Sequence, residues 1–570
     1  MHHYPLADIV PSTAEKELEG YDPLTKKLLY NRGIVTREAA EKYLNPEYER
    51  DSYDPYLIKG MGRAVERIVD AIESGERIVV YGDYDCDGIP GSVILHDFFR
   101  KINYGNFVNY IPHRHNEGYG LNTKAIDAFA KDRVSLIITV DLAITDVAEV
   151  AHAQSLGIDV IVTDHHLPQE VLPPAFVILN SKQHGDEYPD RMLSGAGVAF
   201  KLVQALLKKK GGEWGIPTGW EKWLLDMAGL AAIADLVPLQ NENRLIAYYG
   251  IRVLRKSPRT GLRKLLWKMR VNQEHLTEDD VAFMVAPRIN AASRMDIPHE
   301  AFRLLSTRDE DTAEVLAEHL HALNDTRKGL VASMIREAKQ RLEEREREMD
   351  VIVIGNPNWR PGVLGLLASR LVEEYGKPAF VWGRGEEIDL KGSCRSDGTV
   401  NMVELMTSVA EGTFLNVGGH ELAGGFSVSH EKIHVMEDEL TTAYKKVKKG
   451  EISLAKAIID SPLSLDEVNE TTYVKVEKLA PFGIGNPKPT FLFEGVEIAE
   501  VKHFGKERNH LELIFRNSFG DKISAVGFFT HAGAYTKEVE AGKRVNLIAT
   551  LEKSYFKTRP QVRLRIVDIV

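Results

Sequence analysis

The chain has 570 residues, of which 44% are hydrophobic and 27% are charged, with a formal net charge of -11. This length exceeds one ordinary hydrophobic core and predicts about three or four domains of a soluble, globular protein. No window of about 18 uncharged apolar residues occurs, so we expect no membrane span. The net negative charge argues against a protein coated with nucleic acid over its whole surface.

The uneven charge along the chain and the small number of cysteines add expectations about a ligand and about the cellular compartment. Residues 501–570 contain 13 Lys and Arg against 7 Asp and Glu, so a basic C-terminal module accompanies an acidic remainder. Such a module is compatible with a local track for a polyanion and equally with a basic surface that has no ligand. Two cysteines and the lack of a secretory signal at the start lead us to expect reduced thiols in a cytoplasmic protein.

The predicted elements begin with two short helices in residues 22–46, the second of them capped by Thr36. Between residues 60 and 240, short β-branched runs alternate with helical stretches. Runs without polar alternation, separated by helices, predict a parallel sheet covered on both faces. The predicted strands are 77–83, 107–112, 135–141, 158–164 and 175–180.

The rest of the chain predicts a helical region, a second α/β unit and a C-terminal β-barrel. Residues 241–350 end in a long, increasingly charged helix of the kind that connects domains. The short alternating segments near the C-terminus are typical of a small barrel such as an OB-fold. The fold class is therefore α/β with an added barrel, and the predicted domains are 1–55 (N-terminal helical segment), 56–240 (parallel sheet), 241–350 (helical linker), 351–450 (smaller α/β domain) and 451–570 (barrel).

Acidic and imidazole side chains gather where the predicted strands end. GDYDCDG follows the first strand, Asp141 ends the third, and TDHH ends the fourth. The carboxyl ends of parallel strands meet at one edge of a sheet, so these groups should converge there, together with Asp235. Such a set suits Mn²⁺, Mg²⁺ or Zn²⁺, favours the harder ions, and is large enough for two ions about 3.5–4 Å apart. Each motif alone would more often be turn chemistry; their joint occurrence favours a metal site.

Four of these segments resemble the motifs of the DHH phosphoesterase family: GDYDCDG, VD at 140–141, TDHH, and AD at 234–235. Others are similar to segments of the RecJ group of single-strand exonucleases, namely HRHNEGYGLN (113–122), LSGAGVAFKL (193–202) and APRINAASRM (286–295). A companion DHHA1 domain is suggested by GVLGLLASRL (362–371), KGSCRS (391–396) and GGHELAGGF (418–426), and entry into the OB-fold of that group by PFGIGNPKPTF (481–491). The resemblance covers nearly the whole chain.

The resemblance also implies roles for individual residues. Two ions of Mn²⁺ or Mg²⁺ would be held by Asp85, Asp87, Asp141, His165 and Asp235, with Asp141 bridging them. A supporting catalytic role falls to Asp83, Asp164 and His166. Substrate phosphates would be bound by Arg114, Arg288, Asn290 and Arg294, and in the DHHA1 part by Ser393, Arg395 and His420.

The implied activity is metal-dependent 5′-to-3′ hydrolysis of single-stranded DNA to mononucleotides, in DNA repair and recombination. The barrel would add a stacking surface, and its aromatic and basic residues are compatible with either a platform or a core: Phe504, Phe515, Tyr555 and Phe556, with Lys502, Lys506, Arg508, Lys553, Lys557 and Arg559. Single-stranded DNA is the implied partner. A single-strand binding protein and a helicase are implied by the family alone, and nothing in the sequence demands more than a monomer.

The chain departs from the family pattern at Leu142–Ala143, where the motif normally has a glycine, and at Pro90 and Ser293. Ala143 adds a Cβ where a positive φ or a close ligand would favour glycine. Two alternatives stay open: a DHH phosphodiesterase for short oligonucleotides, and a DNA-binding scaffold with weakened catalysis. The long chain with its barrel disfavours the first, and retention of every acid and histidine disfavours the second.

Overall fold

The computed structural model describes residues 4–345, 349–385, 389–448, 458–505, 508–531, 533, 535, 537–555 and 560–570. The chain divides into two compact units. One comprises Met1–Ser52, Pro238–Tyr248 and Ala455–Val570, and the other comprises Tyr53–Val237 and Tyr249–Leu454. Within the described ranges, no helix has the length and apolar character needed to cross a membrane.

Four short helices open the chain: α1 (Ser12–Glu17), α2 (Pro23–Tyr30), α3 (Arg37–Leu44) and α4 (Tyr48–Asp51). As predicted, Thr36 caps the third, because its Oγ1 accepts a hydrogen bond of 3.2 Å from the backbone N–H of Ala39. Short 3₁₀ turns occur along the chain at Pro55–Leu57, Trp220–Leu224, Gln273–His275, Lys432–His434 and Leu465–Glu467.

The predicted parallel sheet is confirmed, with five strands in the order β2-β1-β3-β4-β5. Its strands are β1 (Arg77–Gly82), β2 (Phe107–Tyr110), β3 (Val134–Val140), β4 (Asp159–Thr163) and β5 (Val177–Leu179). The central strands are buried on both sides because their side chains are almost uninterruptedly apolar. The associated helices are α5 (Met61–Glu73), α6 (Gly88–Lys101), α7 (Thr123–Lys131), α8 (Val147–Ser155), α9 (Gly195–Lys210) and α10 (Leu225–Ala234).

The region that follows is helical, as predicted, and ends in a helix of 34 residues that is about 50 Å long at 1.5 Å per residue. Its helices are α11 (Asn241–Leu254), α12 (Thr260–Met269), α13 (Glu278–Asp280), a π-helix (Val281–Val285), α14 (Ala286–Met295), α15 (His299–Ser306) and the long α16 (Glu310–Glu343).

The smaller α/β domain has five strands in the order β6-β7-β8-β10-β9, with only β6 and β7 (Ile352–Gly355 and Ala379–Arg384) parallel. The remaining strands are β8 (Leu390–Arg395), β9 (Asn416–Gly419) and β10 (Ala423–Val428). Its helices are α17 (Pro361–Tyr375), α18 (Met402–Thr407) and α19 (Met436–Val447).

The C-terminal sheet has seven strands in the order β11-β12-β16-β17-β15-β14-β13. They are β11 (Ser461–Pro462), β12 (Phe491–Glu497), β13 (Glu500–Phe504), β14 (His510–Arg516), β15 (Lys522–Gly527), β16 (Arg544–Ser554) and β17 (Gln561–Ile569), with helix α20 (Glu470–Glu477) preceding β12. Leu28 of α2 is fully buried in the core of this sheet, so the N-terminal helices are part of the same unit.

Arg244, in the middle segment of this unit, contacts residues of the two other segments. Its side chain is 4% exposed, and its guanidinium lies 3.8 Å above the ring of Tyr43. It donates hydrogen bonds to the carbonyls of Tyr43 (3.1 Å), Leu479 (3.0 Å) and Ala480 (3.1 Å). One planar group thus satisfies backbone acceptors from both ends of the sequence.

Replacing Arg244 with methionine should therefore destabilise this unit. Arg244→Met leaves several buried carbonyls without donors, and we expect it to lower the free energy of unfolding of the unit by about 3 kcal/mol. Hydrogen exchange measured by mass spectrometry should rise in peptides 37–44 and 470–482. Arg263→Met, at an exposed position of α12, is the matched control and should leave exchange unchanged. Equal protection in both variants would contradict the role given to Arg244.

Candidate metal centre

Carboxylates from three separate elements converge on one imidazole nitrogen at the carboxyl edge of the parallel sheet. His165 Nε2 lies 3.2 Å from Asp141 Oδ1 and 3.7 Å from both Asp87 Oδ2 and Asp235 Oδ2. Asp83, Asp85 and Asp141 form a second group whose oxygens lie within 4.8 Å of one another. The five residues expected to bind metal are therefore adjacent, and Asp141 belongs to both groups.

The same backbone hydrogen bond recurs at the end of three strands and fixes the acid that follows each of them. The N–H of Asp83 donates to the carbonyl of Val140 (3.0 Å), that of Asp141 to Thr163 (2.9 Å), and that of Asp164 to Leu179 (3.1 Å). Each acid that ends a strand is thus fixed to the last residue of the neighbouring strand. Their side chains leave the sheet at one edge because the strands are parallel and in register.

The start of α9 holds Asp87. The N–H groups of Gly195 and Ala196 donate to its two oxygens at 2.6 and 2.7 Å, where the positive end of the helix favours an anion. A Cβ at Gly195 would lie 2.5 Å from the Cβ of Asp141, so only glycine fits there. Sequence reasoning missed these donors, although they lie in the quoted LSGAG segment.

Asp164 and His166 form a supporting pair. Asp164 Oδ1 accepts from His166 Nδ1 (2.8 Å) and from the N–H of His165 (2.7 Å), and its Oδ2 accepts from Ile144 N (3.0 Å). These bonds use the acceptor capacity of Asp164, so it orients its neighbours and has little capacity left for a metal. Tyr119, which had no predicted role, donates to the carbonyl of Asp141 at 3.2 Å.

Burial makes the ionised form of the cluster unfavourable. Burial, and then the charge of Asp85, raises the pKa of Asp87 to about 7. Burial, and then Asp87, raises the pKa of Asp235 to about 8. Burial lowers the pKa of His165 to about 3, so the imidazole is neutral and can act as a ligand. Burial lowers the pKa of Lys182, which was not singled out in the sequence, although the charges of Asp164, Asp235 and Asp141 oppose that shift.

Two buried carboxylate oxygens of the cluster, Asp83 Oδ1 and Asp141 Oδ1, have no hydrogen-bond partner among the described residues. Buried carboxylate oxygens are normally hydrogen-bonded or bound to a cation, because desolvation of an unpaired one is unfavourable. The residues present therefore fit divalent cations, with oxygen ligands in excess over nitrogen as Mn²⁺ and Mg²⁺ prefer. Asp83, expected only in a supporting role, has an oxygen directed to the same group.

Three of the predicted phosphate-binding arginines lie close together beside this cluster. Arg114 stacks 4.9 Å above the ring of Tyr84, and Arg294 donates to the carbonyl of Gly362 at 3.1 Å, at the start of α17. Burial lowers the pKa of Arg294 to about 10, and the charges of Arg114 and Arg395 contribute to that shift. A Cβ at Gly365 would lie 2.8 Å from Arg395 Nη2 and 3.6 Å from Ser393 Oγ, so both side chains face the first turns of α17.

The other three candidates have different contacts. Asn290 Oδ1 accepts from the N–H of Cys86 at 2.9 Å, so Asn290 holds the first motif loop. Arg288 is 4% exposed and donates to His321 Nδ1 (3.1 Å) and to the carbonyl of Met284 (2.7 Å). His420 is exposed, and its ring is stacked with that of His166 at a centroid distance of 6.4 Å.

Comparison with known proteins identifies the family. Models of the DHH family N-terminal domain, the DHHA1 domain and the RecJ OB domain match residues 77–233, 348–449 and 459–568. The single-stranded-DNA-specific exonuclease RecJ of Bacillus subtilis is 35% identical over 96% of this chain and 68% of its own length. The Escherichia coli protein of the same name is 33% identical over 85% of both chains. This chain belongs to the RecJ family.

Solved RecJ structures agree with this assignment. RecJ from Thermus thermophilus in complex with Mn²⁺ superposes with a TM-score of 0.80 at 27% identity, over 99% of this chain and 79% of that one. The same protein in complex with Mg²⁺ gives a TM-score of 0.75 at 25% identity. The expected fold class is therefore confirmed, including the OB domain of RecJ at the C-terminus.

The departure from the RecJ pattern at Leu142–Ala143 has a visible conformational consequence. Asp141 and Ala143 have φ values of 66° and 87°, in the left-handed region that favours glycine. For alanine this conformation costs about 1–2 kcal/mol. Ser293 is fully buried within α14, and Pro90 lies in the first turn of α6, where its missing N–H leaves no helical bond unmade.

The RecJ OB domain carries an aromatic surface that sequence reasoning located only in part. Phe504 lies 6.1 Å from Phe528, and Arg565 lies 5.3 Å above the Phe528 ring. Phe529, which is 76% exposed, packs against His510 at 4.9 Å. Of the remaining residues expected there, Phe515 belongs to the core and Tyr555 is exposed, whereas Lys506, Phe556, Lys557 and Arg559 lie outside the described residues.

Gly195 and its neighbour Gly197 allow a matched test of the cluster. Gly195→Ala should push the added Cβ against Asp141 and weaken Mn²⁺ binding by about 10–100-fold, as loss of supporting contacts commonly does. A Cβ at Gly197 would meet Leu193 Cβ at an ordinary 3.5 Å, so Gly197→Ala should bind normally. Isothermal titration calorimetry of both metal-free proteins measures the difference. Equal affinities would show that the close approach is not needed.

The strain at Ala143 is measurable by a second pair of variants. Ala143→Gly relieves the left-handed conformation, whereas Ala153→Gly, in the same core but within α8, adds only the cost of glycine in a helix. We expect Ala143→Gly to be more stable than Ala153→Gly by about 2–3 kcal/mol, because about 1–2 kcal/mol of strain is relieved at Ala143 and about 1 kcal/mol is lost in the helix at Ala153. Urea unfolding measures the difference. A larger loss at Ala143 would show that its methyl packing outweighs the strain.

Proposed function

We propose that this protein hydrolyses single-stranded DNA stepwise from the 5′ end, releasing mononucleotides, in DNA repair and recombination. The observation that carries the proposal is the buried group of carboxylates around His165 Nε2, in which Asp141 Oδ1 has no hydrogen-bond donor among the described residues and is suited to a cation. The relatives are named single-stranded-DNA-specific exonucleases, and the T. thermophilus RecJ structures contain Mn²⁺ or Mg²⁺. We assign the ligands of two such ions to Asp85, Asp87, Asp141, His165 and Asp235.

Two bound ions would supply a hydroxide nucleophile and stabilise the charge on the attacking and leaving oxygens. The protein's own residues orient the groups that surround the scissile phosphate. Asp164 holds Nδ1 of His166, which leaves Nε2 for an oxygen of the scissile phosphate. Tyr119 fixes the backbone of Asp141. These two contacts orient His166 and Asp141 before the substrate arrives.

The phosphates of the strand would be bound by the arginines beside the centre. Arg114, Arg294 and Arg395 bring positive charge to the side of the carboxylate cluster, and planar guanidiniums match phosphate oxygens. Ser393 and the first turn of α17 add donors that favour an anion. His420, stacked with His166, would contact the same end of the strand.

Unpaired bases would stack on the aromatic surface of the OB domain. Phe504, Phe528 and Phe529 present rings beside Arg563 and Arg565, and stacking on such rings tolerates any base sequence. A dinucleotide needs no such surface, which favours long single strands over short oligonucleotides as substrates.

Other expectations about the cellular setting stay predictions. The two free cysteines, Cys86 and Cys394, are buried as thiols, which is compatible with the reducing cytoplasm. We predict a monomer that acts with a single-strand binding protein and a helicase.

A nuclease assay on the purified full chain tests the proposal. 5′-Phosphorylated single strands, duplexes and dinucleotides are incubated with Mn²⁺ or Mg²⁺, and nucleotide release is followed. Asp85→Asn and His165→Ala should each lower turnover of single strands by at least about a thousandfold, because they remove ligands of the chemical step. Asp70→Asn, exposed on α5, is the matched control and should keep full activity.

The outcomes separate the alternatives. Release from dinucleotides but not from long strands would identify a short-oligonucleotide phosphodiesterase. Binding of single strands without release by the unmutated protein would identify a scaffold. Near-normal turnover by His165→Ala would show that the ligand assignment is wrong.

A further inference from the structure

The long helix α16 contains a polar pair that a connecting helix does not need. Asn324 is 0% exposed, and its Nδ2 has no hydrogen-bond partner within the described ranges. Its Oδ1 accepts a hydrogen bond of 3.0 Å from Arg327 Nη2. The Nε of Arg327 is likewise buried with no acceptor in the described part of the chain. Buried donors of this kind are normally satisfied, so the pair is incomplete as it stands.

Among the described residues, Arg327 also has no counter-charge. Arg327 is half-buried, and arginines withdrawn from water to this extent are usually paired with a carboxylate, because a desolvated charge without a partner is unfavourable. In the portion of the chain that the structure describes, neither Arg327 nor Arg294 forms an ion pair with a carboxylate. The nearby Asp325 is exposed and lies 3.6 Å from His321 and 3.7 Å from Lys328. Burial accordingly lowers the pKa of Arg327.

The position of Arg327 links it to the proposed phosphate-binding arginines. Burial, then the charge of Arg114, then that of Arg327, lowers the pKa of Arg294. The charge of Arg327 also contributes to lowering the pKa of Arg288, which lies earlier on α14. The geometry agrees, because Arg288 of α14 donates to His321 of α16 at 3.1 Å and Arg327 lies six residues farther along α16. Guanidiniums from several elements therefore repel one another beside α14. An anion placed among them would relieve that repulsion.

We propose that Arg327 binds a backbone phosphate of the substrate strand, and that Asn324 positions its guanidinium. The inference rests on the proposed function and adds a subsite to it. Arg294 connects the two regions, because it lies on α14 and donates to the carbonyl of Gly362 at the start of α17. The helix between the two α/β domains would thus be part of the binding groove as well as a spacer.

Four variants separate this role from simple packing. Arg327→Gln removes the charge and keeps much of the volume, and Arg327→Lys keeps the charge without the fork. Asn324→Asp keeps the acceptor for Arg327 but supplies a carboxylate that neutralises it. Arg336→Gln, exposed on the same helix, is the control. Each full-length protein is examined for single-strand cleavage and, without metal, for binding of a 5′-phosphorylated oligonucleotide by fluorescence anisotropy across a range of salt concentrations.

We expect Arg327→Gln to weaken oligonucleotide binding about tenfold and to reduce the slope of log affinity against log salt by about 0.7, the value for one phosphate contact of a single strand. KM should rise in parallel, and Arg327→Lys should restore part of the affinity. Asn324→Asp should weaken binding as much as Arg327→Gln while its melting temperature stays the same or rises, since it completes an ion pair. Arg336→Gln should match the unmutated protein.

A purely structural role predicts a different result. Arg327→Gln and Asn324→Asp would then bind with normal affinity and normal salt slope, whatever their melting temperatures, and the proposal would be wrong. A fall in melting temperature for Asn324→Asp with unchanged binding would contradict it in the same way. If the unmutated protein binds single strands but does not cleave them, the proposed function fails, and the anisotropy measurements still decide the role of Arg327.

Discussion

The mutual repulsion of desolvated carboxylates around His165 is the constraint on which the catalytic unit depends. Asp87, Asp141 and Asp235 each have an oxygen within 3.7 Å of one neutral nitrogen. Their carboxylates therefore lose hydration and repel one another, and both effects are unfavourable. The fold opposes that tendency with fixed backbone donors. Bonds between strand ends hold the acids in line, and the start of α9 stabilises Asp87. The chain therefore maintains a cation site that would be unfavourable without cations.

The arrangement of positive groups mirrors that of the acids. Arginines from the parallel-sheet domain, α14, α16 and the DHHA1 domain are gathered with little neutralising charge, and burial lowers the pKa of Arg294 to about 10. Carboxylates that lack bound cations thus lie beside guanidiniums that lack neutralising anions. Direct pairing of the two sets would satisfy both and leave neither free. Their separation keeps the metals and the phosphates as the natural partners of each.

Much of this organisation was predictable because it depends on local patterns. The buried strands are marked by uninterrupted apolar runs, and parallel strands carry whatever follows them to one edge, so Asp85, Asp141 and His165 could be placed together from the sequence. Less predictable were contacts that depend on distant parts of the chain. Nothing near Gly195 shows that its N–H will hold Asp87, and Asn290 was expected to contact substrate although its oxygen accepts from Cys86 N. Asn324 and Arg327 looked like ordinary polar positions of a charged helix, because burial of one helix face is a tertiary property.

The discontinuous unit assembled around Arg244 has a consequence for the order in which the protein forms. Its segments are Met1–Ser52, Pro238–Tyr248 and Ala455–Val570, so its first helices leave the ribosome long before the sheet that buries Leu28. The catalytic unit is encoded between them, and its last residue, Leu454, is made before the 116 residues of Ala455–Val570. The apolar faces of residues 1–52 therefore stay uncovered until residues 455–570 have been made. A chain that stopped before Ala455 would lack the core that buries Leu28, so residues 455–570 are a condition for folding of the N-terminal helices.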